Sequence, residues 1–309
     1  MKAAQINEYG HADAVKVVEI NKPSITKDQV LVEVQAASLN PFDTMVREGY
    51  VKEMVKQLPI TLGGDIAGVV SEVGAEVEGF HEGDIVYGQA NAVAGNSGAL
   101  AEYAATSAEQ IAKAPAGIDI TAAASLPLVG ISALQAVTEH IELKADQKIF
   151  IHGGAGGIGS IAIQIAKNIG AFVATTATGE GIDYVKQLGA DEVIDYKSAD
   201  FAQELSDYDA AFDTVGGEDF AKALTILKKG GVAVSMTAQA DEAKVAELEV
   251  TAITQMTCTS TAKLSALAKL VEDGVVKPNV GKVYTIDDIQ EAFETRESGA
   301  VQGKVVVHL

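Results

Sequence analysis

The segment whose spacing carries the most chemistry is Ile149-Phe150-Ile151-His152-Gly153-Gly154-Ala155-Gly156-Gly157-Ile158-Gly159-Ser160. Gly154, Gly156 and Gly159 form the pattern G-x-G-x-x-G. Alone the pattern is weak. Here it follows an apolar strand, opens an apolar helix and begins a run of βα units, which is the setting a dinucleotide site needs. One glycine permits the tight turn, one lets the backbone approach a pyrophosphate with no Cβ between them, and one lets helix and strand pack closely. The helix N-terminus then offers unpaired N–H groups and a partial positive charge to the diphosphate. Gly154, Ala155, Gly156, Gly157, Ile158 and Gly159 are therefore expected to hold the cofactor. About 20 residues on, where a carboxylate would take the ribose hydroxyls of NAD, the chain reads Ala174-Thr175-Thr176-Ala177-Thr178-Gly179, with no acid before Glu180. Hydroxyls and amides tolerate a 2′-phosphate, so NADPH is the expected cofactor. Glu180 argues mildly the other way, and Lys197 either supplies charge or is simply solvated.

The elements that must position this loop can be read from the apolar pattern. The first third is rich in Val and Ile and reads as strands: 15–20, 30–34, 68–74 and 83–88, with 44–57 the main helical exception. Near residue 121 the pattern changes. A long apolar stretch, 121–139, carries Pro127 near its middle and reads as two helical pieces or one kinked helix. Strands at 148–152, 172–176, 192–194, 210–214 and 231–236 then alternate with helices at 160–169, 181–188 and 220–227. Such alternation specifies a parallel sheet with helices on both faces, in the Rossmann doubly wound form. The expected division is 1–121, a β-rich domain; 122–262, the nucleotide domain; and 263–309, with the strand 304–308 returning to the first domain.

Composition narrows the partners. With 23 Lys and Arg against 43 Asp and Glu, the net charge is −20, which repels phosphate backbones and anionic lipid. Nucleic acid and membrane surfaces are not expected partners. Cys258 is the single cysteine, so an intramolecular disulfide and a multi-thiolate zinc site are excluded, and the residue is expected to be buried and reduced. No run of about 18 apolar residues occurs, and Met1-Lys2-Ala3-Ala4-Gln5 lacks an apolar leader core, so a cytoplasmic location is expected.

Several further motifs stand in a recognisable order: Ser38-Leu39-Asn40-Pro41-Phe42-Asp43, Gly63-Gly64-Asp65-Ile66-Ala67-Gly68, Gly83-Asp84-Ile85-Val86, Gly98-Ala99-Leu100-Ala101-Glu102-Tyr103, the glycine loop running on to Gln164 and Lys167, and Asp213-Thr214-Val215-Gly216-Gly217. Over essentially its whole length the chain resembles the zinc-free medium-chain dehydrogenases/reductases of the quinone oxidoreductase (zeta-crystallin-like) and enone reductase branch. The resemblance implies a GroES-like catalytic domain with the Rossmann domain inserted in it, and the cofactor in the cleft between the two. It implies NADPH-dependent reduction of quinones or of the C=C bond of α,β-unsaturated carbonyls. It implies a homo-oligomer, for which an exposed edge strand in the nucleotide domain would suit a two-fold pair.

The resemblance also assigns residues. Zinc-dependent relatives carry Cys where Asn40 stands and Gly-His-Glu where Gly63-Gly64-Asp65 stands, so no metal is expected here. Conjugate hydride addition needs less electrophilic help, because the developing charge spreads to an oxygen that hydrogen-bond donors can hold. Asn40 either donates to the substrate or nicotinamide, or ties down its own loop. Tyr50 either donates a proton or stacks on a flat substrate, or is a half-exposed aromatic. Asp43 and Asp65 are read as loop-bridging partners. Many relatives have Lys where this chain has Met45, which puts in doubt any mechanism relying on that lysine. Val129 and Ser132 would line the nicotinamide and its ribose; Thr176, Thr178 and Tyr196 would lie near the adenosine ribose; Gly303 and Lys304 would approach from the C-terminal segment. Thr214, Val215, Ser235 and Met236 end parallel strands, where ligands bind, and so have an independent warrant. Two rival readings stay open: an aldehyde or ketone reductase on the same scaffold, and a non-catalytic NADPH-binding sensor.

Overall fold

A computed structural model describes residues 1–309. The chain divides into two compact units: Met1–Leu128 with Thr259–Asp273 and Pro278–Leu309, and Val129–Cys258 with Gly274–Lys277. The divisions fall at 128/129 and 258/259, against the 121/122 and 262/263 read from the pattern. The apolar stretch that blurred the first boundary is two helices, Ile120–Ala124 and Pro127–Gln135, broken before Pro127.

The first unit is built on the ten-residue strand Gln29–Ser38. It pairs antiparallel with Asp65–Val73, with Tyr103–Ser107 and, through Val306 opposite Ser38, with Lys304–His308. Val30, Leu31, Val32, Val34, Ala36 and Ala37 are buried along it, while Glu33 and Gln35 reach solvent. A small sheet of Lys16–Glu19, Lys2–Ile6 and Ile60–Thr61 packs on the same core. The early helix runs Pro41–Glu48 rather than over 44–57. Proline suits the first helical position, its missing N–H being an orphan there anyway. Gly49, at φ 80°, takes the left-handed conformation that ends the helix. The apolar run beyond it folds as a short 3₁₀ turn, Lys52–Met54.

The second unit holds a six-stranded parallel sheet in the order Glu192–Asp195, Phe172–Ala177, Lys148–His152, Tyr208–Asp213, Leu227–Ser235, Thr251–Thr254. In sequence rank this is 3-2-1-4-5-6, the doubly wound order, which reverses between Lys148–His152 and Tyr208–Asp213. The helices Gly157–Ile169, Glu180–Gln187 and Glu218–Thr225 carry it between strands. The edge strand Thr251–Thr254 and the helix Glu242–Leu248 were not read from the pattern. The strand is short and half Thr, and the helix buries no residue, so neither shows an apolar run.

In the first unit the Tyr87 ring is fully buried and its hydroxyl donates to the Leu264 carbonyl at 2.6 Å, fastening the helix Thr261–Glu272 to the sheet. Tyr87→Phe removes that bond and keeps the ring. It is expected to lower the unfolding free energy by about 1 kcal/mol, read as a lower urea midpoint at unchanged slope.

Candidate active site

In the second unit the glycine loop leaves the strand Lys148–His152 and enters the helix Gly157–Ile169 with Gly156 as its N-cap. No side chain caps that helix, so its first-turn N–H groups point out of the loop unclaimed. The loop is held from behind. Gly153 N–H donates to Thr176 Oγ1 at 2.9 Å and Gly154 N–H to the Thr176 carbonyl at 3.1 Å. A Cβ on Gly154 would lie 2.1 Å from Thr175 Oγ1, and one on Gly159 would lie 2.3 Å from the Gly153 carbonyl oxygen. These glycines are therefore required by close approach, and the backbone they leave bare fits a dinucleotide diphosphate.

The hydroxyls placed beside the cofactor by sequence reasoning face inward instead. Thr176 is buried and its oxygen accepts from Gly153. Ser132 is fully buried, with its hydroxyl on Thr257 Oγ1 at 2.7 Å. Ser235 is fully buried and donates to Asp213 Oδ2 at 2.7 Å. Thr214 donates to the His152 carbonyl at 2.7 Å. Thr176, Ser235 and Thr214 tie strand ends to neighbouring loops or strand ends, and Ser132 ties its helix to the segment after the edge strand. The groups left facing outward are Thr178, half-exposed; Tyr196, 55% exposed; Val215, 57% exposed; and Met236, half-buried. Val129 is buried. Lys197 is exposed beside Tyr196. Gln255, next to the edge strand, was missed: its Nε2 donates to the Ser132 carbonyl at 3.0 Å, while its buried Oε1 has no partner. An orphan acceptor at the carboxyl edge of the sheet is one more feature that fits a ligand rich in donors.

In the first unit the loop residues gather around one carboxylate. Asp65 is fully buried. Its Oδ1 accepts from Gln89 Nε2 at 3.1 Å and from Leu128 N–H at 3.1 Å. Its Oδ2 accepts from Asn40 Nδ2 at 2.8 Å and from Ser38 Oγ at 3.2 Å, with Lys304 Nζ at 4.0 Å. Lys304 Nζ donates to the Leu39 carbonyl at 2.7 Å and to Asn40 Oδ1 at 2.5 Å. Thus Lys304, expected to approach the cofactor, is buried and spends two donors on the Asn40 loop, and Asn40, 2% exposed, ties that loop down. Asp43 caps the loop by accepting Asn40 N–H at 2.7 Å. Burial pushes the Asp65 carboxyl up, while Lys304 and its side-chain donors pull it down. Burial lowers the Lys304 ammonium, and Asp65 and Asp43 oppose that. Asp43 is pushed up to about 7, chiefly by burial. Gly303, at φ 103°, is fixed by close approach to Gly281 and Asn279. Tyr50 is 76% exposed. Cys258, expected to be buried, is exposed, its backbone N–H held by Gln135 Oε1 at 3.0 Å.

The comparisons fit this architecture. Residues 26–116 match the alcohol dehydrogenase GroES-like domain and residues 188–307 the zinc-binding dehydrogenase family. The chain is 36% identical over 318 residues to a 2-methylene-furan-3-one reductase of Solanum lycopersicum, covering all of this chain and 79% of that one. It has the same identity and coverage against a chloroplastic NADPH-dependent alkenal/one oxidoreductase of Arabidopsis thaliana. Among solved structures, the quinone oxidoreductase from Coxiella burnetii superposes with a TM-score of 0.92 at 33% identity, covering 100% of this chain and 99% of that one. The fold and the glycine cradle are those of a nicotinamide-dependent oxidoreductase. The chain belongs to the medium-chain dehydrogenase/reductase family. The zinc of the matched family's description does not fit its residues: nowhere do three or more His, Cys, Asp or Glu stand together as a metal would need. No helix is long and apolar enough to cross a membrane.

Two outcomes follow. Gly159→Ala forces the helix off the strand, and is expected to weaken NADPH binding by about tenfold or more, read by fluorescence titration, and to cost about 1–3 kcal/mol of stability. For Asp43, the folded value of about 7 lies above the ordinary 3.8. The native state thus keeps a proton that the unfolded chain releases between those values. Asp43 favours folding at the acid end, and the advantage is lost as pH rises through about 7. Asp43→Asn abolishes this dependence. Thermal melts are expected to show wild type losing on the order of 4 kcal/mol relative to the variant between about pH 4 and pH 8.

Proposed function

We propose that this chain is an NADPH-dependent oxidoreductase that reduces quinones or the C=C bond of α,β-unsaturated carbonyls without a metal. The observation that carries the reading is the make-up of the Asn40 cluster. An amide, an ammonium and a hydroxyl surround Asp65, a set of hydrogen-bond donors with no metal-ligating imidazole or thiolate among them. Donors of that kind suit a reaction whose charge ends on an enolate or hydroquinone oxygen. Similarity to relatives named for alkenal/one and quinone reduction supports the same class. NADPH, when bound, supplies the hydride.

The chain's own part is binding, orientation and electrostatics. The bare backbone of 153–159 takes the diphosphate, and Thr178, Tyr196 and Lys197 are the groups for the 2′-phosphate end. Val129, Val215 and Met236 offer apolar surface to the nicotinamide ring. In the first unit Lys304 draws on Asn40 Oδ1, which polarises the amide and strengthens the N–H that Asp65 does not use. That N–H is the donor for the developing oxyanion. Tyr50, with its exposed ring, serves as apolar surface for a flat substrate rather than as a proton donor.

The same reading includes a homodimer formed through the free edge of Thr251–Thr254, beside which Met256 is 78% exposed. It also includes a reducing compartment such as the cytoplasm, in which the exposed Cys258 thiol persists.

The test is a product assay on chelator-treated protein with NADPH and with NADH. A saturated carbonyl from an enone, or a hydroquinone from a quinone, made faster with NADPH, supports the reading. An allylic alcohol points to carbonyl reduction, and NADPH binding without turnover on any electrophile points to a sensor.

A further inference from the structure

Asp213 ends the fourth-ranked strand, Tyr208–Asp213, beside the point where strand order reverses. Its side chain is fully buried, yet both of its oxygens are hydrogen-bonded. Oδ1 accepts the backbone N–H of Val215 at 3.1 Å and of Gly216 at 3.0 Å, and lies 3.0 Å from His152 Nδ1. Oδ2 accepts the Ser235 hydroxyl at 2.7 Å. The Ser235 oxygen in turn accepts N–H from Thr237 at 3.2 Å and from Ala238 at 3.0 Å. Through these contacts one carboxylate fixes the backbone at 214–216 directly, 236–238 through Ser235, and the start of the glycine loop through His152. The loops are also in steric register. A Cβ on Gly153 would meet Val215 Cγ2 at 2.7 Å, and one on Gly216 would meet Thr237 Oγ1 at 2.1 Å.

The choice of an acid follows from this geometry. Burial pushes the Asp213 carboxyl up, but His152, Gly216, Ser235 and Val215 outweigh it and hold the group below the ordinary carboxylate value. An asparagine has one acceptor oxygen, and its NH₂ would face a donor. One of the loops must then let go.

We propose that Asp213 is the positioning residue for the nicotinamide half of the cofactor. It is buried beneath the loops and offers no atom to a ligand. It sets the two loops that leave the carboxyl ends of the fourth and fifth strands, where the second mononucleotide of a dinucleotide lies in this strand order. The adenosine half belongs to the first three strands, which Asp213 touches only through His152. The inference rests on the NADPH part of the proposed function and not on the substrate.

That asymmetry is the test. Dissociation constants for NADPH and for adenosine 2′-monophosphate are measured by isothermal titration, without substrate, on wild type, Asp213→Asn, Ser235→Ala and Tyr208→Phe. Tyr208 lies at the amino end of the same strand, where its hydroxyl meets Glu192 at 3.2 Å. The expected result is that Asp213→Asn weakens NADPH by about tenfold and leaves the adenosine fragment within about twofold. Ser235→Ala, which keeps three of the carboxylate's four donors, weakens NADPH by about threefold, leaves the fragment unchanged, and serves alone if Asp213→Asn does not fold. Tyr208→Phe changes neither. A folded Asp213→Asn or Ser235→Ala that binds NADPH like wild type, or that loses both ligands equally, overturns the proposal and leaves the NADPH reading standing. A wild-type chain that binds neither ligand overturns both.

Discussion

A parallel sheet offers a ligand only what leaves the carboxyl ends of its strands. What the second unit can bind therefore depends on how tightly Lys148–His152 is followed by Gly157–Ile169. The constraint is the contact of Gly159 with the Gly153 carbonyl, where a Cβ would stand 2.3 Å away. Only at that approach does the helix bring its uncapped N–H groups over the strand end. This also reconciles a chain of net charge −20 with an anionic cofactor. The attraction is supplied by backbone dipoles over a few ångströms, where they outweigh a diffuse field that salt screens.

Both units organise their loops by the same device, a buried carboxylate with several donors. Asp65 collects Ser38, Asn40, Gln89 and Leu128, which come from two strand ends and two helix starts. Asp213 collects His152, Val215, Gly216 and Ser235 from three strand ends. They differ in what balances the charge. Asp65 has the Lys304 ammonium nearby, with Asp43 as a second acid. Asp213 has only neutral dipoles and an imidazole. A buried charge that loses one partner is strongly destabilising, whereas a fully bonded one is rigid. Each carboxylate thus makes its set of loops all-or-none, a useful property where the loops must be preformed for a ligand.

Much of this was legible in the sequence, and what was not has a common cause. The alternation of strand and helix after residue 121 is a local periodicity, so the doubly wound class, five of the six strands and the glycine loop could be read directly. The helix Pro41–Glu48 was misplaced because the apolar residues beyond Gly49 mimic a helical face, while its real bounds are set by Pro41 and the φ of Gly49. Asp43 and Asp65 were read as loop-bridging partners, but the partners that Asp65 gathers and the whole Asp213 cluster were illegible. His152 and Asp213 are 61 residues apart, and Asn40 and Lys304 are 264 apart. No spacing rule links such pairs, and only the topology brings them together.

The hydroxyls at the strand ends show a second demand that competes with ligand binding there. Thr176 and Ser235 end parallel strands or nearly so, and strand ends are where ligands bind. Yet those same ends release loops whose first N–H groups have lost their ladder partners. A buried N–H without a partner costs about 1–3 kcal/mol, more than a typical hydrogen bond to a ligand returns. A short hydroxyl at the strand end is the nearest group able to accept it. Thr176 does so for Gly153, and Ser235 does so for Thr237 and Ala238. Residues at the carboxyl edge are thus divided by reach. Thr176, Thr214 and Ser235 turn in and hold the loops, while the outward positions fall to Val215, Met236 and Tyr196, with Thr178 the one short hydroxyl among them. The outward surface at the carboxyl edge is therefore mostly backbone and apolar, with most of the polar side chains held one layer beneath it.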